Sequence, residues 1–124
     1  MPFRTRRLGS FIKSVTANLG KLGGGAEDSI ITSVANFTVL GIQLVEDGES
    51  DWDSKVKFEC SNDRENWEDL ECVNASDGTD NRAETETAGD EGLWLADVAG
   101  IKYVKISSTS EGEAGHVEVI VTKE

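Results

Sequence analysis

The residues of this sequence that could carry chemistry are its single histidine, its 24 carboxylates and its three tryptophans. Any Ser-His-Asp or Cys-His nucleophile system would have to use His116. No Gly-x-Ser-x-Gly motif occurs, and His116 follows a glycine at the start of an apolar stretch, as a polar residue at a strand end does. Glycosidase chemistry would need two carboxylates held across a cleft, which a small sandwich rarely has. The sequence therefore predicts no catalytic residue, no cofactor and no enzymatic activity.

Two acidic segments contain the oxygen ligands that Ca²⁺ prefers. They are residues 46–53 (EDGESDWD) and residues 77–80 (DGTD). Neither follows the EF-hand order of acids, glycine and final glutamate, so a solvated turn is the simpler interpretation and calcium is the alternative. We assign no metal ligand. Trp52 is the tryptophan whose position favours an exposed contact, for instance with a sugar, whereas Trp67 and Trp94 are expected in the core.

Charge divides the chain in two. Residues 1–25 contain five of the 12 basic residues and no acidic residue, whereas all 24 acidic residues follow. An acidic body repels phosphate, which argues against nucleic acid as its partner. No apolar run approaches the length of about 18 residues that a membrane span needs. A short basic segment on an acidic body is typical of attachment to an acidic partner surface.

Residues 1–25 are expected to form an arm on a body of residues 26–124. Phe11, Val15 and Leu19 are spaced four apart, which permits a short amphipathic helix over about Leu8–Leu19. Interspersed Ser, Thr and Asn make that helix weak in isolation, so the arm should be extended or partly helical and should order on a partner. The residues expected to contact that partner are Phe3, Arg4, Arg6, Arg7, Leu8, Phe11, Ile12, Lys13 and Lys21.

The body has the pattern of short β-strands separated by turns. Strands are predicted at residues 29–33, 36–45, 55–61, 67–73, 82–87, 93–98, 101–108 and 116–122, with a loop at 74–81. Residues 101–108 and 116–122 should form the last hairpin. Residues 36–45 are apolar on both faces, which indicates burial on both or cover by a neighbouring subunit, with a bulge near Leu40-Gly41. The predicted class is an all-β, antiparallel β-sandwich of seven to eight strands, Greek-key or jelly-roll-like.

The segment from Ser61 to Trp67 is predicted to be a structural turn between strands. Asp63 and Asn66 can bond the turn backbone, and Trp67 can anchor it against the core. If the turn is centred near Arg64, Cys60 lies opposite residue 68 and Cys72 opposite residue 56. The cysteines then do not face each other, so free buried thiols are expected.

Three stretches resemble a known family. These are Val56-Lys57-Phe58-Glu59-Cys60-Ser61-Asn62-Asp63 with Trp67, then Gly92-Leu93-Trp94 with Asp97–Ile106, and finally Gly115-His116-Val117-Glu118-Val119. Together they are similar to small β-sandwich virion proteins of tailed bacteriophages, over about Phe37–Thr122. Glu65 replaces a glycine near the turn, and Lys105 stands where arginine is usual. The resemblance implies a structural protein with no catalytic residues to transfer.

Resemblance and charge together predict a capsid decoration (cement) protein. It would be a homo-oligomer, with a trimer favoured, bound through the arm to the major capsid protein. It would sit on the capsid exterior of the virion and occur in the host cytoplasm during assembly. The alternatives are a tail or head–tail connector component and a carbohydrate-binding fibre module.

Overall fold

The structure is a computed structural model that describes residues 14–23, 28–47, 55–85, 92–108 and 116–124. These residues form ten strands. The strands are β1 (Val15–Gly23), β2 (Ser29–Ser33), β3 (Val39–Asp47), β4 (Val56–Ser61), β5 (Glu68–Asp69), β6 (Cys72–Asn74), β7 (Asp77–Arg82), β8 (Gly92–Asp97), β9 (Tyr103–Ser108) and β10 (His116–Lys123).

The strands make two antiparallel sheets that pack face to face. The larger sheet has the order β1-β10-β3-β8-β6-β7, and the smaller has the order β2-β9-β4-β5. Both sheets contribute to one core, whose fully buried members include Ile42 and Trp94 from the larger sheet and Phe58, Val104 and Ile106 from the smaller. The predicted antiparallel β-sandwich is therefore confirmed.

Alternation along β3 explains why its sequence is apolar on both faces. Leu40, Ile42 and Leu44 point into the core, whereas Val39 and Val45 are exposed on the outer side of the larger sheet. A strand side chain reverses face at every residue, so both sets belong to one regular strand. β3 pairs in continuous register with β10 and β8, so the bulge predicted near Leu40-Gly41 is wrong.

β1 lies where the sequence predicted part of a helical arm. Val15–Gly23 pairs with β10 along its length, and Leu22 is fully buried. The predicted helix is therefore wrong from residue 15 onward. Weak helix formers gain more from ladder hydrogen bonds and burial in an existing sheet than from an isolated helical turn. Residues 1–13 and the expected boundary between residues 25 and 26 lie outside the described residues.

The bulge of this sheet is in β1, between Asn18 and Gly20, where the register to β10 shifts. The Asn18 Oδ1 atom accepts the Gly20 N–H at 2.9 Å, and Gly20 has a φ of +110° that favours glycine. The extra residue lets Ala17 and Leu22, five apart, both face inward.

The predicted strand over residues 67–73 is two strands in different sheets. β5 pairs with β4, whereas β6 pairs with β8 and β7 in the larger sheet. The chain crosses at Leu70, which is buried and donates its N–H to the Phe58 carbonyl at 3.0 Å. Residues 77–81, predicted as loop, belong to β7, which is an edge strand of the larger sheet. Of the edge strand predicted over residues 82–87, Arg82 belongs to β7, and residues 86–87 lie outside the described residues.

The predicted last hairpin is also wrong. β9 belongs to the smaller sheet and β10 to the larger. Val104 and Ile106 do point inward, as do Val117, Val119 and Val121. They meet across the two layers rather than side by side in one sheet.

Replacement of Leu22 tests whether β1 belongs to the body. Leu22→Ala should lower the free energy of unfolding by about 2–5 kcal/mol, because it empties a fully buried site. Val15→Ala, on the same strand but 42% exposed, should change it by no more than about 0.5 kcal/mol. Urea unfolding followed by tryptophan fluorescence measures both. Equal, small effects would show that β1 does not pack on the core.

Candidate interaction surfaces

The structure describes one of the residues predicted to bind a partner. Lys21 lies on β1 with an exposed side chain, and its backbone pairs with Glu118 of β10. It is therefore part of the larger sheet rather than of an arm. The other predicted partner-binding residues, as well as Trp52, lie outside the described residues; they are Phe3, Arg4, Arg6, Arg7, Leu8, Phe11, Ile12 and Lys13.

Asp63 organises the turn between β4 and β5. Its Oδ1 atom accepts the backbone N–H groups of Asn66 and Glu65, each at 2.8 Å, and the Ser61 hydroxyl at 2.8 Å. Its Oδ2 atom accepts the Asn66 side-chain amide at 2.7 Å. The backbone N–H groups of Asn66 and Glu65, and then the two side chains, hold the pKa of Asp63 well below its usual range. The predicted structural turn is therefore confirmed.

Two further contacts fix this turn. The Asn62 side chain accepts the Lys102 N–H at 2.8 Å and donates to the Gly100 carbonyl at 3.3 Å. Arg64 has a φ of +66°, so the left-handed conformation that suits glycine falls at residue 64, rather than at Glu65. A shallow depression of about 350 Å³ lies beside the turn. Among its polar lining residues, Asn62 and Asp63 already hydrogen-bond to backbone groups.

Two cation–π contacts lie on the smaller sheet. The Lys105 Nζ atom is 4.5 Å from the centroid of the Trp67 ring, and the Arg64 guanidinium is 5.3 Å from that of Tyr103. Trp67 is half-buried beneath Lys105, so its expected place in the core is only partly right, whereas Trp94 is fully buried as predicted. A cation already covers the Trp67 ring on one side.

Ion pairs link the outward side chains of the same sheet. The Lys57 Nζ atom lies 3.8 Å from Glu59 Oε2 and 3.9 Å from Asp69 Oδ1. The Lys105 Nζ atom lies 3.8 Å from Glu59 Oε1. Exposed ion pairs contribute about 0–1 kcal/mol each, and only the Lys57–Asp69 pair is exposed at both side chains. Their main effect is that charges on this face compensate one another.

The outer side of the larger sheet carries a different surface, which we call the leucine face: Val39, Gly41, Leu93 and Leu95. Gly41 pairs with Leu95 of β8. A Cβ atom placed on Gly41 would lie 3.6 Å from Leu95 Cδ2 and 3.8 Å from Leu93 Cδ1. Both leucines therefore lean over the glycine, yet they remain 40% and 42% exposed. The sequence signal for this surface was the apolar residues on both faces of β3.

The two cysteines are free, as predicted, but only Cys72 is buried, whereas Cys60 is partly exposed. Cys60 pairs with Glu68 across the ladder, which is the expected register, but Cys72 pairs with Arg82 in the other sheet. Burial raises the pKa of the Cys72 thiol to about 12. Burial, and then the charges of Glu68 and other nearby acids, also raise the pKa of Cys60. Neither environment favours a reactive thiolate.

The carboxylates of residues 77–80 are engaged within their own strand. The Asp77 Oδ1 atom accepts the Thr79 hydroxyl at 2.7 Å and the Thr79 N–H at 3.0 Å, and these bonds lower the pKa of Asp77. Asp80 pairs with Arg82 at 2.6 Å. Within the described ranges, no group of three or more His, Cys, Asp or Glu residues is arranged to hold a metal ion. In the other acidic segment, which is residues 46–53, residues 48–53 lie outside the described residues.

Solved structures show where else this fold occurs. The SPBc2 prophage-derived protein YomS aligns with a TM-score of 0.73 at 16% identity, covering 90% of this chain and 92% of YomS. The PBSX exported protein XepA aligns with a TM-score of 0.68 at 17% identity, covering 99% of this chain and 45% of XepA. This chain therefore has a fold found in phage-derived proteins.

No family model matches the sequence, and no curated protein does. In the part of the chain that the structure describes, no helix is long and apolar enough to cross a membrane.

The Asp63 turn predicts a pH dependence. Folding lowers the pKa of this carboxyl below its ordinary value of 3.8, so its stabilisation is present above that pH and is lost as the pH falls further. Asp63→Asn loses the acceptor that faces the Asn66 amide. The variant should therefore unfold more readily than the wild type near neutral pH, and the difference should shrink below about pH 4. Chemical denaturation at several pH values measures this.

Glu65→Gln is the control for this experiment. It removes a carboxylate of the same turn but keeps the N–H that Glu65 donates to Asp63. Its effect on stability should be small. A difference between Asp63→Asn and wild type that stays constant down to strongly acidic pH would contradict the role of the ionised carboxylate.

Thiol reactivity should rank the two cysteines. In the folded protein at pH 8, Cys60 should react slowly with a thiol reagent and Cys72 should not react until denaturant is added, because Cys72 is fully buried. The variants Cys60→Ser and Cys72→Ala isolate each thiol. Fast reaction of Cys72 in folded Cys60→Ser protein would contradict its burial.

Proposed function

We propose that this chain is a non-enzymatic structural protein of a phage particle, and specifically a decoration protein that binds the major capsid protein on the outside of the shell. The observation that carries the proposal is the fold, shared along 92% of a prophage-derived protein. The separation of charge between residues 1–13 and the remainder supports attachment rather than catalysis. Residues 14–124 contain all 24 acidic residues, so free copies repel each other in most orientations.

The attaching segment in this proposal is residues 1–13, which we call the tether. It contains Arg4, Arg6, Arg7 and Lys13 and no acidic residue. The tether leads directly into β1, which pairs with β10 along its length, so a load on the tether passes into the larger sheet. Thirteen extended residues span at most about 45 Å, enough to reach across a neighbouring subunit.

Apolar side chains should supply most of the binding free energy. Burial of a large side chain such as Phe3, Leu8, Phe11 or Ile12 contributes about 1.5–3 kcal/mol. An exposed ion pair between a tether arginine and a capsid carboxylate contributes about 0–1 kcal/mol. A repeated shell multiplies such contacts when copies are linked to each other.

Deletion of the tether tests the proposal. The deletion should end at residue 13, because removal of residues 1–25 would also remove β1 and the buried Leu22. The shortened protein should keep the wild-type unfolding transition but lose binding to capsid shells prepared without this protein, measured by co-sedimentation. A matched variant, Arg4→Gln with Arg6→Gln and Arg7→Gln, separates the two contributions. It should weaken binding less than the deletion does.

Two results would count against the proposal. Full occupancy of shells by the protein that lacks residues 1–13 would exclude the tether as the attachment. A copy number of a few per particle, rather than a number that scales with the shell, would favour the tail or connector alternative.

A further inference from the structure

Two rows of outward residues on the larger sheet carry no charge. One row runs across all six strands in register: Thr16, Thr122, Gly41, Leu95, Val73 and Asn81. The neighbouring row runs from Asn18 on β1 to Leu93 on β8 and is likewise uncharged. Charged residues begin at the next rows, with Lys21 beside Glu118 at one end and Asp97 beside Val39 at the other.

The polar members of these rows do not call for a charged ligand. The hydroxyls of Thr16 and Thr122 bond each other at 3.1 Å across β1 and β10. The centre of the rows is formed by three members of the leucine face, Gly41, Leu93 and Leu95, and the two leucines cover the glycine. A surface with an apolar centre and few charges has the composition of an interface core.

The corresponding surface of the smaller sheet has the opposite character. Its central row reads Ile31, Lys105, Glu59 and Asp69, so three of its four residues are charged. The whole chain has a net charge of −12, so most orientations of two copies repel each other. Contact through the uncharged rows avoids this repulsion at the contact itself.

We propose that the leucine face is the contact between two copies of this chain, packed face to face across a two-fold axis. A two-fold contact uses the same patch on both partners, so that patch must not repel itself, and the uncharged rows meet this condition. Sheets packed in this way lie about 10 Å apart, close enough for Leu93 and Leu95 of each copy to lose their exposure to water. The inference does not depend on the proposed attachment to capsids.

The test is the mass of the full-length protein, measured by sedimentation equilibrium over a range of concentrations. The wild type should have twice the 13.4 kDa of one chain. Leu95→Glu should have the mass of one chain, because it places a carboxylate at the centre of the contact. Ile31→Glu is the matched control, because Ile31 is 38% exposed on the other sheet and receives the same charge. It should keep the wild-type mass.

A second variant guards against loss of folding. Leu93→Lys adds the opposite charge at a neighbouring position of the face and should also give the mass of one chain. Circular dichroism and thermal unfolding should show that each variant is folded. Agreement between a basic and an acidic substitution would attribute the loss to the face rather than to added negative charge.

Several results would overturn the inference. They are a wild type with the mass of one chain at every concentration, a Leu95→Glu variant that keeps the wild-type mass, and an assembly of three or more chains.

If the wild type is one chain and only removal of residues 1–13 gives two, the tether covers the face instead. If the wild type is one chain and Leu95→Glu abolishes shell binding, the face contacts the capsid. Loss of shell binding without residues 1–13, at an unchanged mass of two chains, supports the tether and leaves the inference standing.

Discussion

The contact between Phe58 and Trp94 is the constraint on which both sheets depend. Their ring centroids lie 6.0 Å apart, and both side chains are fully buried. Phe58 comes from β4 and Trp94 from β8, so the pair joins the smaller sheet to the larger. The backbone of Phe58 extends the connection, because its N–H donates to Ala83 at 2.8 Å and its carbonyl accepts from Leu70 at 3.0 Å. The segment that crosses between sheets and the segment that follows β7 are both bonded at this one residue.

Sequence alternation identified the buried side chains more reliably than the pairing of the strands. Val104 and Ile106 face the core as their spacing predicted, but β9 and β10 lie in different sheets. Period-two alternation specifies which side of a strand meets the core. It carries no information on which strand lies alongside, because a short connection can cross about 10 Å to the other sheet as well as turn back in the same one. For the same reason, the sequence predicts a single strand over residues 67–73, where the structure has β5 and β6.

The incorrect prediction of a helix in the region of β1 has a different cause. Phe11, Val15 and Leu19 have helical spacing, yet Val15 and Leu19 lie on a strand. The bulge between Asn18 and Gly20 shifts the inward parity, so a regular alternation that would have revealed the strand is absent from the sequence. The turn at Asp63 was predictable because the hydrogen bonds to Asp63 are local, all within residues 61–66; the contacts of Asn62 with Gly100 and Lys102 are long-range and have no such signal. Long-range pairing with β10 has no comparable local signal.

The distribution of charge follows from these pairings rather than from composition. Cations and carboxylates compensate each other on the smaller sheet, through Lys57, Glu59 and Lys105. Across the larger sheet, register brings uncharged residues of six strands into line, although residues 14–124 contain every carboxylate of the chain. Residues 1–13 precede β1 of that same sheet in the chain. If they attach the protein as proposed, the resulting load acts on β1 and β10 rather than on the ion-paired face. Attachment and contact between copies would thus be carried by a single hydrogen-bonded layer, which leaves the smaller sheet to supply the other half of the core.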